Sequence, residues 1–336
     1  MSVKRTFLAV AGLSWMAMTP ALAQTGNPGG AINDRLGAMD YGVCRGTDPK
    51  CFHDWPRAKA AEYRVLLYTR TAGPRHADLG TPLSPGLNPP LAPDNIVQRE
   101  MKALLEANGV KLDYTEDVKV MARLNGYNAV IFFSTSRDNL DDGAKTALRQ
   151  YMRAGGGFIG VHNAFGTLYN WPYYEGLLGG ANFYDHGPEQ EAEVVTVDPN
   201  DASTKALPKR WRFKDEWYNL VPFPTKVRFL ATVDEKTYSA PLGAAEGPPP
   251  PRPGEPPRPP RPPMAPSVVG KSPGHGGFHP VAWCQYYDGG KAWVTTLGHD
   301  AKVFSASDAD FAGAKAFQTM IVGAIKSVAG EEPFCR

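Results

Sequence analysis

Five histidines and one glutamate stand in short contexts that could do chemistry. His162 ends the run Gly155-Gly156-Gly157-Phe158-Ile159-Gly160-Val161 and is followed by Asn163 and Ala164. His76 follows Gly73-Pro74-Arg75, and His186 closes Asn182-Phe183-Tyr184-Asp185. His279 opens His279-Pro280-Val281-Ala282-Trp283, and His299 stands in Gly298-His299-Asp300. Asp215-Glu216-Trp217-Tyr218 sets two carboxylates beside aromatics. Imidazole and carboxylate together suit zinc and similar divalent ions. The same groups could serve as general acids and bases, or hydrogen-bond sugar hydroxyls.

Residue type argues more strongly here than spacing. No His-Glu-x-x-His pattern is present. Any one of these histidines, taken alone, is more often structural than a ligand. Asp185 and Asp300 read equally well as turn formers, and Trp171, Trp217 and Trp283 as core or rim aromatics. His53 and His275 lie in irregular sequence rich in Pro or Gly and receive no role.

The elements that must position these groups follow from hydrophobic patterning. Arg64 to Thr69 is a short β-prone run, and a long Pro-rich loop follows from Thr71 to Pro93. Loops of that length are often functional. Asn95 to Asn108 reads as a helix, with Ile96, Met101, Leu104 and Leu105 on one face and Gly109 as its stop. Lys111–Thr115, Ala129–Phe133 and Phe158–Val161 read as strands, and Asp141–Ala154 as a second helix. Strands that are continuously apolar and alternate with helices predict a largely parallel sheet covered on both faces. After Gly187 the pattern changes to strands at Glu193–Val197, Val227–Val233, Val281–Tyr287 and Lys291–Leu297, closed by a helix over Phe311–Val328.

Gly155 to Ala164 therefore has the layout of a nucleophile elbow, a strand-to-helix turn that lifts one side chain above the sheet's C-terminal edge. Hydrolases and amidotransferases carry Ser or Cys at that tip, whereas here the tip is His162. Glutamine hydrolysis by that route is not expected. What remains is a histidine at the edge where open α/β sheets bind ligands.

Residues 1–23 read as a signal peptide: Lys4 and Arg5, an apolar run from Phe7 to Met18, then Ala21-Leu22-Ala23, with cleavage after Ala23. The mature protein is expected to be periplasmic or secreted, with no membrane contact after cleavage. Loss of Lys4 and Arg5 leaves 34 basic and 34 acidic side chains, a balance that gives no support for a nucleic-acid partner. In an oxidising compartment the four cysteines allow three pairings. Cys44–Cys51, in an extension spanning 24–62, is the preferred local bridge. Cys335 could instead tie the tail to Cys44 or Cys51, leaving Cys284 as a buried thiol. Of the 32 prolines, 12 fall between Pro248 and Pro266. That insertion, residues 247–274, reads as extended polyproline in a surface loop, with a docking ligand as the less favoured reading.

Together these segments resemble the ThuA-like (trehalose utilisation) domain family, over about Tyr63 to Gly330. The resemblance rests on Val65–Thr69 with Arg75-His76, on Gly155–His162 with Trp171-Pro172-Tyr173-Tyr174, and on Leu177-Leu178-Gly179-Gly180 with Phe183 and His186. Asp215–Tyr218, His279–Trp283 and Leu297-Gly298-His299-Asp300 complete it. It implies one domain over 63–332 with a flavodoxin-like sheet, related to class I glutamine amidotransferases but without their cysteine. It also implies a link to disaccharide metabolism beside an oxidoreductase that makes 3-keto sugars. The expected function is to act on, or merely bind, a carbohydrate or keto-sugar derivative, by hydrolysis, elimination or isomerisation if it is an enzyme. Glu216 and His162 are the expected catalytic groups, with Glu216 as general base provided its neighbours raise its pKa toward neutrality. His76, His162, His186 and His299 would ligate one divalent ion such as zinc or manganese. His76, Asn163, Trp171, Tyr218, His279 and Asp300 would contact substrate. No nucleotide cofactor is expected.

Overall fold

Each strand near the N-terminus splits its residues between two cores. In the computed structural model, which describes residues 41–55, 62–239 and 274–336, the first long strand is β2 (Arg64–Tyr68). Val65 and Leu67 enter one core, Leu66 and Tyr68 the other. β4 (Ala129–Phe133) does the same, with Ala129, Ile131 and Phe133 on one side and Val130 and Phe132 on the other. Side chains alternate across a strand, so burial on both faces demands the unbroken apolar runs seen in the sequence.

Helices supply the two covers. On one face lie α1 (Ile96–Glu106), through Val97, Met101 and Leu105, and α4 (Ala314–Ala329), through Phe317, Met320, Ile321 and Ile325. On the other lie α2 (Asp142–Arg153), through Leu148 and Met152, and α3 (Pro172–Leu177), through Tyr174 and Leu177. Asp141 caps α2 by accepting from Ala144 N at 2.8 Å. The closing helix begins at Ala314 rather than at the expected Phe311, because Gly313 sits in the left-handed region at φ 82°.

The ten-stranded sheet has the order β3-β2-β4-β5-β12-β11-β10-β7-β8, with the two-residue β1 (Arg45–Gly46) added on β11. β3 (Lys111–Thr115), β2, β4, β5 (Gly157–Val161) and β12 (Gly290–Thr295) run parallel. β11 (His279–Tyr287), β10 (Arg228–Asp234), β7 (Gln190–Thr196) and β8 (Arg210–Asp215) continue it in antiparallel pairs. A separate two-stranded sheet pairs β6 (Phe183–His186) with β9 (Tyr218–Leu220). Neither β8 nor this small sheet was expected from patterning. In β8 the buried Trp211, Phe213 and Asp215 alternate with Arg210, Arg212 and Lys214, so charge hides the period of two. The antiparallel half curls back on the helices, since Phe213 of β8 meets Phe311 and Phe317.

The cysteines form Cys44–Cys51, as preferred, and Cys284–Cys335. The second bridge corrects both the thiol expected at Cys284 and the tail pairing with Cys44 or Cys51. After α4 the chain turns back beneath β11, where Phe334 packs on Tyr286 with ring centroids 5.2 Å apart, and so delivers Cys335 to Cys284. Loop closure predicts unequal worth for the two bridges. Removing Cys284–Cys335, with partners 51 residues apart, is expected to cost about 4 kcal/mol, and removing Cys44–Cys51 about 2 kcal/mol. Denaturation of paired Cys→Ala variants measures this, and equal losses would mean that native contacts outweigh loop entropy. The signal-like residues 1–23 and the proline-rich stretch Pro248–Pro266 lie outside the described residues. Among the described residues no helix is long and apolar enough to cross a membrane.

Candidate functional site

Strand register creates the first contact of the site. β5 and β12 are parallel neighbours with Val161 opposite Thr295, so His162 and Thr296 leave the sheet side by side. His162 Nδ1 lies 2.9 Å from the Thr296 carbonyl oxygen, which can only accept, so Nδ1 holds the ring proton. The lone pair is thereby placed on Nε2 and aimed above the sheet edge. His162 is fully buried and adopts φ 53°, the strained conformation expected at an elbow tip.

Three further loops bring groups to that lone pair. His76, just before the short turn Ala77–Leu79, places Nε2 3.1 Å from His162 Nε2. Arg75 fixes this turn by donating to the Leu79 carbonyl at 2.9 Å while paired with Glu116 at 2.8 Å. Glu216, just after β8, places Oε2 3.8 Å from His162 Nε2 and 3.2 Å from His299 Nδ1; the second is a charge contact rather than an aligned hydrogen bond. One ligand atom each from His76, His162, Glu216 and His299 falls within 4.8 Å of all the others. Tyr218 donates its hydroxyl to His162 Nε2 at 2.8 Å.

Burial and charge oppose one another across the cluster. Burial holds His162 well below the usual histidine range, with the charges of His76 and His299 adding to the effect. His76 is pushed down to about 4, first by burial and then by His299. For His299 burial again works against the charge, but contact with Glu216 outweighs it and lifts the imidazole to about 9. Glu216 mirrors this: burial would raise it, yet His299, His186 and His76 hold it below the usual carboxylate range. The condition set for Glu216 as general base, a pKa raised toward neutrality, is therefore not met. An ionised carboxylate beside the neutral His76 and His162 is instead a ligand set that suits zinc, which His299 would join by giving up its proton.

The other expected site residues divide between this cluster and its supports. His186 on β6 stays outside the four-atom group, with Nε2 3.6 Å from Glu216 Oε1 and Nδ1 donating to Gly187 O at 2.7 Å. Asn163 is spent on the elbow, donating to Thr135 O at 2.9 Å. Trp171 stacks on Tyr173, 5.2 Å between centroids, in the layer of α2 and α3. Asp300 caps the turn Ala301–Phe304, accepting from Lys302 N at 2.9 Å, and Asp185 accepts from Asn219. His279 lies behind Tyr218, with Nε2 on the Tyr218 carbonyl and Nδ1 on Glu235.

Two buried carboxylates matter more than their sequence contexts suggested. Asp215 accepts from Glu216 N at 2.8 Å and from Gly298 N at 2.7 Å, and so ties together the loops that carry Glu216 and His299. Burial lifts Asp215 to about 8. The alternation of β8 is the signal that turns it inward. Asp78, two residues after His76, is buried with neither oxygen hydrogen-bonded among the described residues, and burial raises it to about 7. Nothing in its local sequence marks it. Asp215→Ala leaves two buried N–H groups without acceptors, an expected loss of about 2–4 kcal/mol. Chemical denaturation reads this, and undiminished stability would mean that the two loops find other acceptors.

The model of the ThuA family, trehalose utilisation, matches residues 64–326. A ThuA-like protein from Bacteroides uniformis has a similar fold, with TM-score 0.54, 22% identity, and 83% of this chain and 96% of that chain covered. A second ThuA-like protein, from Parabacteroides merdae, also gives TM-score 0.54, at 16% identity over 81% of this chain and 91% of that one. No curated protein matches the chain.

Proposed function

Because the chain belongs to the trehalose-utilisation (ThuA) family, which implies a sugar-related role, we propose that it is an exported, metal-assisted enzyme acting on a keto-sugar derivative. The observation that carries this reading is the convergence of His76, His162, Glu216 and His299 from four separate loops onto one point. Three histidines and a glutamate in purely structural roles have no reason to aim their four ligand atoms at one another.

These four residues would hold the ion, and one divalent ion there would supply Lewis acidity toward a carbonyl or hydroxyl oxygen of the sugar. His162 is already in the right tautomer, because its Nδ1–H donates to the Thr296 carbonyl. Tyr218, whose hydroxyl now donates to His162 Nε2, would turn that O–H to donate to a substrate oxygen instead. His186, on the more open side of Glu216, is placed to hold or return a proton at Nε2 during hydrolysis, elimination or isomerisation. All four cysteines are in disulfides, so a thiolate route of the amidotransferase kind has no nucleophile. The signal-like N-terminus and the two disulfides support action outside the cytoplasm; the substrate proposed there is a sugar oxidised by an upstream oxidoreductase.

The test is elemental mass spectrometry of mature protein purified without chelator, followed by incubation with 3-keto-glucosides and their parent glycosides. Near one divalent ion per chain and consumption of the keto form are expected. An ion-free protein that takes up neither zinc nor manganese would remove the metal, and stoichiometric binding of an unchanged sugar would make it a non-catalytic binding protein.

A further inference from the structure

Among the described residues, the strand that carries Tyr218 has a neighbouring strand on one side only. There β9 pairs with β6, and this two-stranded sheet is separate from the ten-stranded one. Tyr218 and Leu220 point their backbone groups to the same edge, where a carbonyl and an N–H would ordinarily require a further strand or water. Two imidazoles take them instead. His279 Nε2 lies 2.9 Å from the Tyr218 carbonyl oxygen, and Leu220 N donates to His275 Nε2 at 2.9 Å.

The partners dictate where the protons must be. A carbonyl only accepts, so His279 Nε2 carries a proton. His279 Nδ1 faces Glu235 Oε1 at 2.7 Å, so that carboxylate holds the buried ring from its other side. His275 must do the opposite and leave Nε2 bare. Glu235 also accepts from His275 N and, at 3.0 Å, from Gly276 N, which holds both imidazoles at one point. Tyr238, with its hydroxyl 3.3 Å from His279 Nδ1, is the other titratable group facing the pair, and the Phe223 ring covers His275 at 5.3 Å.

We infer that His275 and His279 are positioning residues that stand in for a missing strand on the free edge of β9. They thereby hold the Tyr218 hydroxyl on His162 and keep His186, opposite Tyr218 in the ladder, beside Glu216. The inference concerns the scaffold of the site and stands whether or not the cluster binds an ion.

The staple has a defined acid limit. Burial, and then the charge on His279, push His275 down to about 4, against the opposing pull of Glu235. An unfolded histidine takes up its proton near pH 6.5, so the anchoring weakens as pH falls from about 6.5 toward 4. Below that, a protonated Nε2 would face the Leu220 N–H, donor against donor.

Hydrogen exchange of the intact, disulfide-bonded protein tests this through the peptide spanning β9. His275→Ala and His279→Ala are expected to raise its exchange at least about tenfold while β2, β4 and β5 stay protected. His275→Gln, whose side-chain oxygen can accept from Leu220 N, should restore much of the protection. Parent-like exchange of β9 in both Ala variants would overturn the inference. Should those variants fail to fold, the parent itself is read from pH 7 to 3.5 after correction for intrinsic exchange. Loss of β9 protection ahead of the parallel strands is expected, and β9 surviving with them to pH 3.5 would overturn the inference. A parent protein that binds no ion would sink the metal reading alone, because the exchange result does not depend on it.

Discussion

On the proposed metal reading, His162→Ala is expected to fold and to bind zinc about two to three orders of magnitude more weakly. The whole of a four-ligand zinc site is worth roughly 10–16 kcal/mol, so one ligand carries a few. His162 is also the candidate ligand with the best-prepared geometry, its Nδ1–H donating to the Thr296 carbonyl and its lone pair facing the other three groups. The fold should survive, because β5 is held through Val161 and its neighbours rather than through the imidazole. The measurement is competitive titration with a chromogenic chelator, alongside circular dichroism. Unchanged affinity in a folded variant would place the ion elsewhere or nowhere. His162→Gly adds a control for the elbow, since φ 53° strains Ala and not Gly. The Gly variant should be the more stable of the two by about 1 kcal/mol.

Glu216→Gln is the second large effect. Turnover of the keto-sugar should fall by at least about 100-fold, the lower end of what a group engaged in proton handling or ion binding supplies. Zinc affinity should fall as well, since Gln keeps the shape and loses the charge that His299, His186 and His76 now stabilise. Measuring turnover at saturating ion separates these roles. Recovery of activity at high zinc would make Glu216 a ligand only, whereas continued loss would place it in the chemistry as well. Full activity without added ion would remove Glu216 from the mechanism.

The contrast between Glu216 and Asp215 shows how far local reading carries. Both carboxylates were visible in one tetrapeptide, but their environments depend on loops more than eighty residues away. Gly298 N reaches Asp215, and His299 reaches Glu216, only because the antiparallel half of the sheet curls back. Sequence reasoning made Glu216 a general base on the condition that its neighbours raise its pKa, and the pairing with His299 lowers it instead. His275, given no role, and His279, expected at the substrate, both turn out to anchor β9. Each of these errors concerns what a group meets across the fold.

What the sequence determined by itself was whatever a strand or helix decides through its own burial. Apolar runs at Val65–Tyr68, Ala129–Phe133 and Phe158–Val161 required a sheet covered on both faces, and the glycine-rich approach to His162 required an elbow. The order of motifs was enough to assign the family. Tertiary structure alone decided which of the candidate histidines converge, that Cys284 meets Cys335, and that β8 exists beneath its charged residues. The physical reason is range. Periodicity records which side of an element faces the core, whereas a site is made where loops from separate strands meet, and that depends on ladder order, register and curl.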